Sequence, residues 1–231
     1  MTRRTYNQYC GLAYALDVVG ERWTVLIVRE LMSGPKRYSD LTSSLEGIGT
    51  SLLATRIRQL EDRGIITRRQ LPPPAAVLVY QLTDTGRELA ESLMPLAIWG
   101  IRHQLSHTRS PDERYRAEWS LPVIASLIDR HAIDSVTGTI EFRIDNTAAQ
   151  LHLHDQQVDV LAGQAHEKPD ATVTTDAATL TAVGAGRLDL PSALADGRIT
   201  ATGDPSILQV LVTSLTAPAT PSDSEKPTPS R

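Results

Sequence analysis

The densest set of side chains able to read another molecule lies between residues 50 and 63. Leu53, Ile57 and Leu60 recur at helical spacing and mark one apolar face. Ser51, Thr55 and Arg58 fall roughly opposite that face, Thr50 stands at its N-terminal end, and Arg56 and Gln59 flank it. Hydroxyls and an amide can donate to and accept from base edges, and a guanidinium can reach guanine or a phosphate oxygen. The bland alternative is an ordinary solvated helix face. Lys36 and Arg37 come before this segment and Arg68 and Arg69 after it. These four cations suit phosphate, which positions a protein on a duplex without specifying sequence. Arg22 could join them or simply pair with Glu21.

Other reactive residue types are sparse. Cys10 is the only cysteine, which excludes an intramolecular disulfide and suits a reducing compartment. Its thiol would become reactive if a cation or a helix N-terminus lowered its pKa; a small structural cysteine is the alternative. His152 and His154 share one face of a predicted strand, but no third metal ligand has recognisable spacing, so a solvated strand face is expected. No nucleophile motif, phosphate loop or zinc-binding pattern of His and Glu occurs, so neither an enzyme nor a cofactor or metal is expected.

Charge is distributed unevenly along the 231 residues. Residues 1–110 hold 14 Lys/Arg against 10 Asp/Glu, and residues 111–231 hold 9 against 17. A basic first half and an acidic second half imply two modules, only the first suited to a polyanion. No run of 18 apolar residues appears and no apolar segment follows Arg3 and Arg4, so neither a membrane span nor a secretory signal is expected, and the cytoplasm is the default location.

The elements that must position these residues can be read from periodicity. Leu12, Leu16 and Val19 predict a first helix closed by Gly20. Trp23, Leu26, Ile27 and Leu31 predict a second over about 21–31, stopped by Gly34-Pro35. A short third helix over 39–45 with Ser39 as N-cap, the turn Glu46-Gly47-Ile48-Gly49 and the helix over 50–63 compose a helix-turn-helix. Two β-type runs, 65–71 and 77–82, flank Pro72-Pro73-Pro74, which reads as a hairpin wing. Thr83-Asp84 opens a long helix to about residue 103, kinked at Pro95.

Here the residues carry a family resemblance. The stretch from Tyr9 through Gly20-Glu21-Arg22-Trp23 to Ile27, together with Leu45-Glu46-Gly47-Ile48-Gly49-Thr50, Gln59-Leu60-Glu61-Asp62-Arg63-Gly64 and Tyr80-Gln81-Leu82-Thr83-Asp84-Thr85-Gly86, resembles HxlR-type winged-helix regulators. The resemblance covers residues 6–105, with Gly11 standing where many members carry proline. It implies a bacterial homodimer on double-stranded DNA, with Leu16, Leu93, Leu96 and Trp99 meeting across the seam. It also implies that Cys10 occupies the position of a thiol used for redox sensing in some members. Trp23 and Trp119 are expected in the core or the seam.

The second half reads as a small α+β domain. A helix is predicted over 119–133, strands around 140–144, 151–153, 158–160, 171–175 and 198–202, an Asp176-capped helix to 183, a short turn of helix at 191–195 and a last helix over 206–215. Pro169-Asp170-Ala171-Thr172-Val173-Thr174 and the run from Ala193 to Asp204 resemble the sterol carrier fold. That resemblance implies a pocket for a small apolar ligand; Phe142, Leu151 and Leu153 lie on the inward-facing pattern and could line it or fill a solid core. The expected organisation is α+β overall: an N-terminal winged helix-turn-helix at 6–108, a sterol-carrier-like domain at 115–215, and a disordered tail at 217–231. The expected function is a DNA-binding regulator, acting as a repressor on a pseudo-palindromic operator under control of the apolar ligand. A lipid carrier whose winged helix is a protein-interaction scaffold is the rival.

Overall fold

The computed structural model describes residues 5–105, 109–110 and 112–216; the expectation of a disordered tail falls outside them. The first unit runs α1 (Gly11–Val19), α2 (Thr24–Leu31), α3 (Tyr38–Ser44), α4 (Thr50–Asp62), β1 (Ile66–Gln70), β2 (Leu78–Leu82), α5 (Asp84–Ser92) and α6 (Met94–His103). Its core joins Ile27, Val28 and Leu31 of α2 to Leu41, Leu53, Ile57 and Leu60. Helix α2 starts later than its apolar period predicts. Trp23 adopts φ +79°, a left-handed conformation that a helix cannot contain, so the buried face becomes Ile27, Val28 and Leu31 while Leu26 turns outward.

Helix α3 also differs from expectation in its cap. Its first turn is closed not by Ser39 but by Asp40, whose Oδ2 accepts the Arg37 backbone N–H at 2.9 Å. The Tyr38 hydroxyl then donates to the Thr50 carbonyl at 2.8 Å and fixes the start of α4 against α3. Strands β1 and β2 pair antiparallel, with Arg68 opposite Tyr80, on either side of the prolines. Thr83 caps α5 by accepting the Gly86 N–H at 3.1 Å. A Cβ at Gly86 would lie 2.1 Å from the Ile65 carbonyl oxygen, so glycine alone permits this approach of helix to hairpin. The long predicted helix is two helices that meet at Leu93, with Pro95, which has no N–H to donate, in the first turn of α6.

The second unit runs α7 (Ala117–Leu127), a 3-10 turn at His131–Ile133, β3 (Gly138–Ile144), β4 (Thr147–His154), β5 (Gln157–Ala162), β6 (Ala171–Thr175), α8 (Ala177–Gly184), α9 (Leu190–Ala195), β7 (Thr200–Gly203) and α10 (Pro205–Thr216). Helix α7 ends earlier than predicted because Ile128 turns extended. The sheet order is β5-β4-β3-β6-β7, antiparallel except where β3 pairs with β6. Ile140, Phe142 and Ile144 stand beside Ala149 and Leu151 on one side and Ala171 and Val173 on the other, which makes one face of the sheet apolar. Helix α7 covers that face over β4 and β5. As predicted, Asp176 caps α8, accepting the Thr179 N–H at 2.7 Å.

Candidate functional site

Helix α4 buries Leu53, Ile57 and Leu60 and leaves Thr50, Ser51, Thr55, Arg58 and Gln59 exposed, as its spacing predicts. The Thr55 hydroxyl donates to the Ser51 carbonyl at 2.8 Å, which leaves its oxygen free to accept from a base edge. Arg37 and Arg69 are exposed, and Arg68 holds Glu61 at 2.8 Å while remaining more than half exposed. Two of the predicted DNA-binding cations are committed elsewhere. Arg56 is largely buried, with its guanidinium 2.7 Å from Glu21 and 2.8 Å from the Gln59 amide oxygen. It ties α4 to the turn before α2, so its place at the edge of the predicted face belongs to packing. Lys36 is half-buried: burial pushes its ammonium pKa down, against the pull of Glu118 across the unit boundary and of Glu30 in its own unit.

That boundary has a charged centre that sequence reasoning missed. Glu30 of α2 is 2% exposed, and its Oε1 accepts from Arg29 Nη2 at 2.5 Å and from the Trp119 indole N–H at 2.8 Å. The Arg29 guanidinium lies 4.0 Å from the centre of the Trp119 ring. A buried carboxylate persists only when its oxygens are matched by donors, and here one donor comes from the other unit. Trp119, expected in a core or dimer seam, is instead the junction between helix-turn-helix and sheet. Arg114 adds an ion pair to Glu46, in the turn between α3 and α4. Adjacency in the sequence hints at Arg29–Glu30, but nothing in the one-dimensional pattern brings residue 119 to residue 30.

Beyond Trp119 a cavity of about 1000 Å³ opens between α6, α7, α8, α9 and α10 and the sheet. That volume is at the upper end of the roughly 300–1,000 Å³ of small-molecule pockets. Phe142 is among its lining residues, with Val173 of β6, Ala201 of β7 and Ile199 just before β7. Leu151 and Leu153 are not. They are fully buried in the part of the sheet that α7 covers, so they fill solid core. Alternation identifies the face of a strand but not whether helix or empty space stands over it. Tyr115 lines the cavity with its hydroxyl 2.8 Å from Ser120 Oγ, and burial pushes its pKa up to about 12.

In α1 and α6, Leu12, Leu16, Leu96 and Trp99 are exposed apolar side chains, with Trp99 51% exposed and its ring beside His103. Leu93, predicted with them, is half-buried against its own core. Cys10 is exposed at the N-cap of α1, where the backbone N–H groups of Ala13 and Leu12 hold its thiol below the ordinary range. His154 binds Asp159 at 2.8 Å and His152 binds Gln150 at 3.0 Å; both border a cleft against the first unit, with the His154 side chain still exposed. Among the described residues no cluster of His, Cys, Asp and Glu could hold a metal ion, and no helix is long and apolar enough to cross a membrane.

A winged helix-turn-helix with an exposed polar reading face, joined to a helix-covered sheet enclosing an apolar cavity, defines a DNA-binding regulator with a ligand-type second domain. Residues 18–108 match the HxlR-like helix-turn-helix family, and residues 124–216 match the SCP-2 sterol transfer family. The chain is similar to the HTH-type transcriptional regulator YodB of Bacillus subtilis, at 34% identity over 37% of this chain and 76% of YodB. It is also similar to an HTH-type regulator of Mycobacterium tuberculosis, Rv3095, at 38% identity over 37% of this chain and 54% of that protein. Among solved structures, reduced YodB from B. subtilis aligns at 31% identity and a TM-score of 0.38, over 42% of this chain and 96% of that one. The chain belongs to the HxlR family of helix-turn-helix transcription regulators and carries a sterol-transfer-type domain after its winged helix.

Proposed function

We propose that this regulator binds a pseudo-palindromic operator as a homodimer, with α4 in the major groove, and that occupancy of its cavity controls that binding. The reading makes it a cytoplasmic binding protein rather than an enzyme, and a repressor, as the family resemblance implies. The observation that carries it is the position of α6. Ala97 and Ile101 of that helix, with Leu105 just beyond its end, face the cavity, while Leu96 and Trp99 are exposed on it as the seam of a dimer would require. One helix therefore serves two apolar surfaces, and a ligand that moves it changes the spacing of two recognition helices. Half-sites lie about 34–36 Å apart on one face of a duplex, so a small change in that spacing costs affinity. A ligand shifts the equilibrium only by its differential affinity for the two arrangements, and a nearly complete switch needs about 10⁴-fold.

The test is fluorescence anisotropy of the full-length protein on the duplex upstream of its own coding region, across salt concentrations. Phosphate neutralisation predicts affinity falling steeply with salt, and a two-fold dimer predicts one dimer per site. Affinity too weak to measure at low salt, or flat with salt, would favour a carrier that uses its winged helix for protein contacts.

A further inference from the structure

The cavity is not electrically uniform. Every lining residue from Trp119 onward is uncharged, and the side chains that α8, α9 and α10 contribute are mostly aliphatic, such as Leu180, Leu194 and Leu211. All its charged lining residues come from the winged helix or the segment that joins the two units: Arg29, Arg102, Arg109, Glu113 and Arg114. The C-terminal domain thus lines the cavity with uncharged side chains, and the winged helix and the joining segment bring four guanidinium groups and one carboxyl to it. Three of the four already have an acid: Arg29 has Glu30, Arg109 has Asp145 at 3.0 Å, and Arg114 has Glu46. Arg102, one residue after cavity-facing Ile101, makes no ion pair among the described residues.

We infer that the ligand site is shared by both units and takes an elongated amphiphile: an apolar body in the C-terminal domain and an anionic head on Arg102 at the winged-helix side. This rests on the ligand-control reading only in its consequence, not in its site. A wholly neutral ligand of the sterol kind would cover the uncharged lining and leave the arginines to water. An anionic head gains charge-assisted hydrogen bonds there that a neutral one lacks, and guanidinium suits carboxylate and phosphate alike. The same cavity is lined by Arg114, whose other contact is the turn of the helix-turn-helix, and by Arg29, stacked on Trp119.

The test uses the full-length protein and a fluorescent long-chain carboxylic acid, its methyl ester, an alkyl phosphate of equal length, and a sterol as competitors. The acid is expected to bind about tenfold more tightly than the ester, the worth of one charge-assisted hydrogen bond. Arg102→Gln, at an exposed position, is expected to abolish that difference while leaving the ester's affinity unchanged. A merely structural role for Arg102 at the end of α6 would move acid and ester together. The alkyl phosphate is expected to compete better than the ester, and its rank against the acid assigns the head. Equal binding of acid and ester, a preference that survives Arg102→Gln, or a sterol that outcompetes the acid overturns the inference. Operator affinity is then measured with the acid at saturation. An unchanged value there refutes ligand control while the shared site stands.

Discussion

At the scale of single residues, two arginines two positions apart on α4 have opposite roles. Arg58 is exposed on the reading face, whereas Arg56 is spent on Glu21. Arg58→Ala and Thr55→Ala are therefore expected to weaken operator binding by about 1–3 kcal/mol with the fold intact. Arg69→Ala should weaken all duplexes alike and flatten the salt slope by about one unit. Arg56→Ala should act through thermal stability instead, because it removes a tie between α4 and the α1–α2 turn. Anisotropy and melting curves on the same preparations separate these effects, and operator affinity unchanged in both Arg58→Ala and Thr55→Ala would refute the reading face. Cys10 makes a separate prediction from its place at the start of α1. Because its folded pKa is held below the ordinary thiol range, alkylation should persist as pH falls below the range where a free thiol stops reacting. A pH–rate profile matching that of a free cysteine would contradict this.

At the scale of elements, close approach and exposed faces decide what each helix does. Gly86 lets α5 lie on the Ile65 carbonyl, so Gly86→Ala forces backbone apart and should cost about 1–3 kcal/mol in denaturant unfolding. Helix α6 was expected to bury Leu93, Leu96 and Trp99 together across the seam. Leu93 packs against the core of its own unit, and Leu16, Leu96 and Trp99 are the exposed side chains left for the proposed seam. Trp99→Ala should leave the unfolding of the chain nearly unchanged at low protein concentration, yet weaken self-association by at least about 2 kcal/mol, as loss of an aromatic anchor does. Sedimentation showing an equally tight dimer would remove Trp99 from the interface.

At the scale of the whole molecule, the two units are joined through Glu30, Arg29 and Trp119. Trp119→Phe keeps a ring for Arg29 to stack on but removes the N–H that reaches the buried Glu30 oxygen. Leaving such a group short of a donor costs about 1–3 kcal/mol. The expected result is a lower first melting transition, with winged helix and C-terminal domain unfolding in separate steps. A single transition at the wild-type temperature would show that the junction carries little of the coupling.

Local pattern determined most elements. Apolar spacing located α4, the wing, the strands and the Asp176 cap, and it identified the exposed polar face of α4, because helix and strand periods are properties of neighbouring residues. It could not foresee Trp23 in a left-handed conformation, which shortened α2, or Asp40 in place of Ser39 as the cap of α3. Nor could it tell Arg56 from Arg58, since a salt bridge to Glu21 depends on where another segment folds back. Leu151, Leu153 and Phe142 share one alternation, yet α7 covers the first two and a cavity lies over the third. Pairing Trp119 with Glu30 spans 89 positions and two units. Such pairings are set by how layers pack and how buried charge finds donors, and only the tertiary structure decides them.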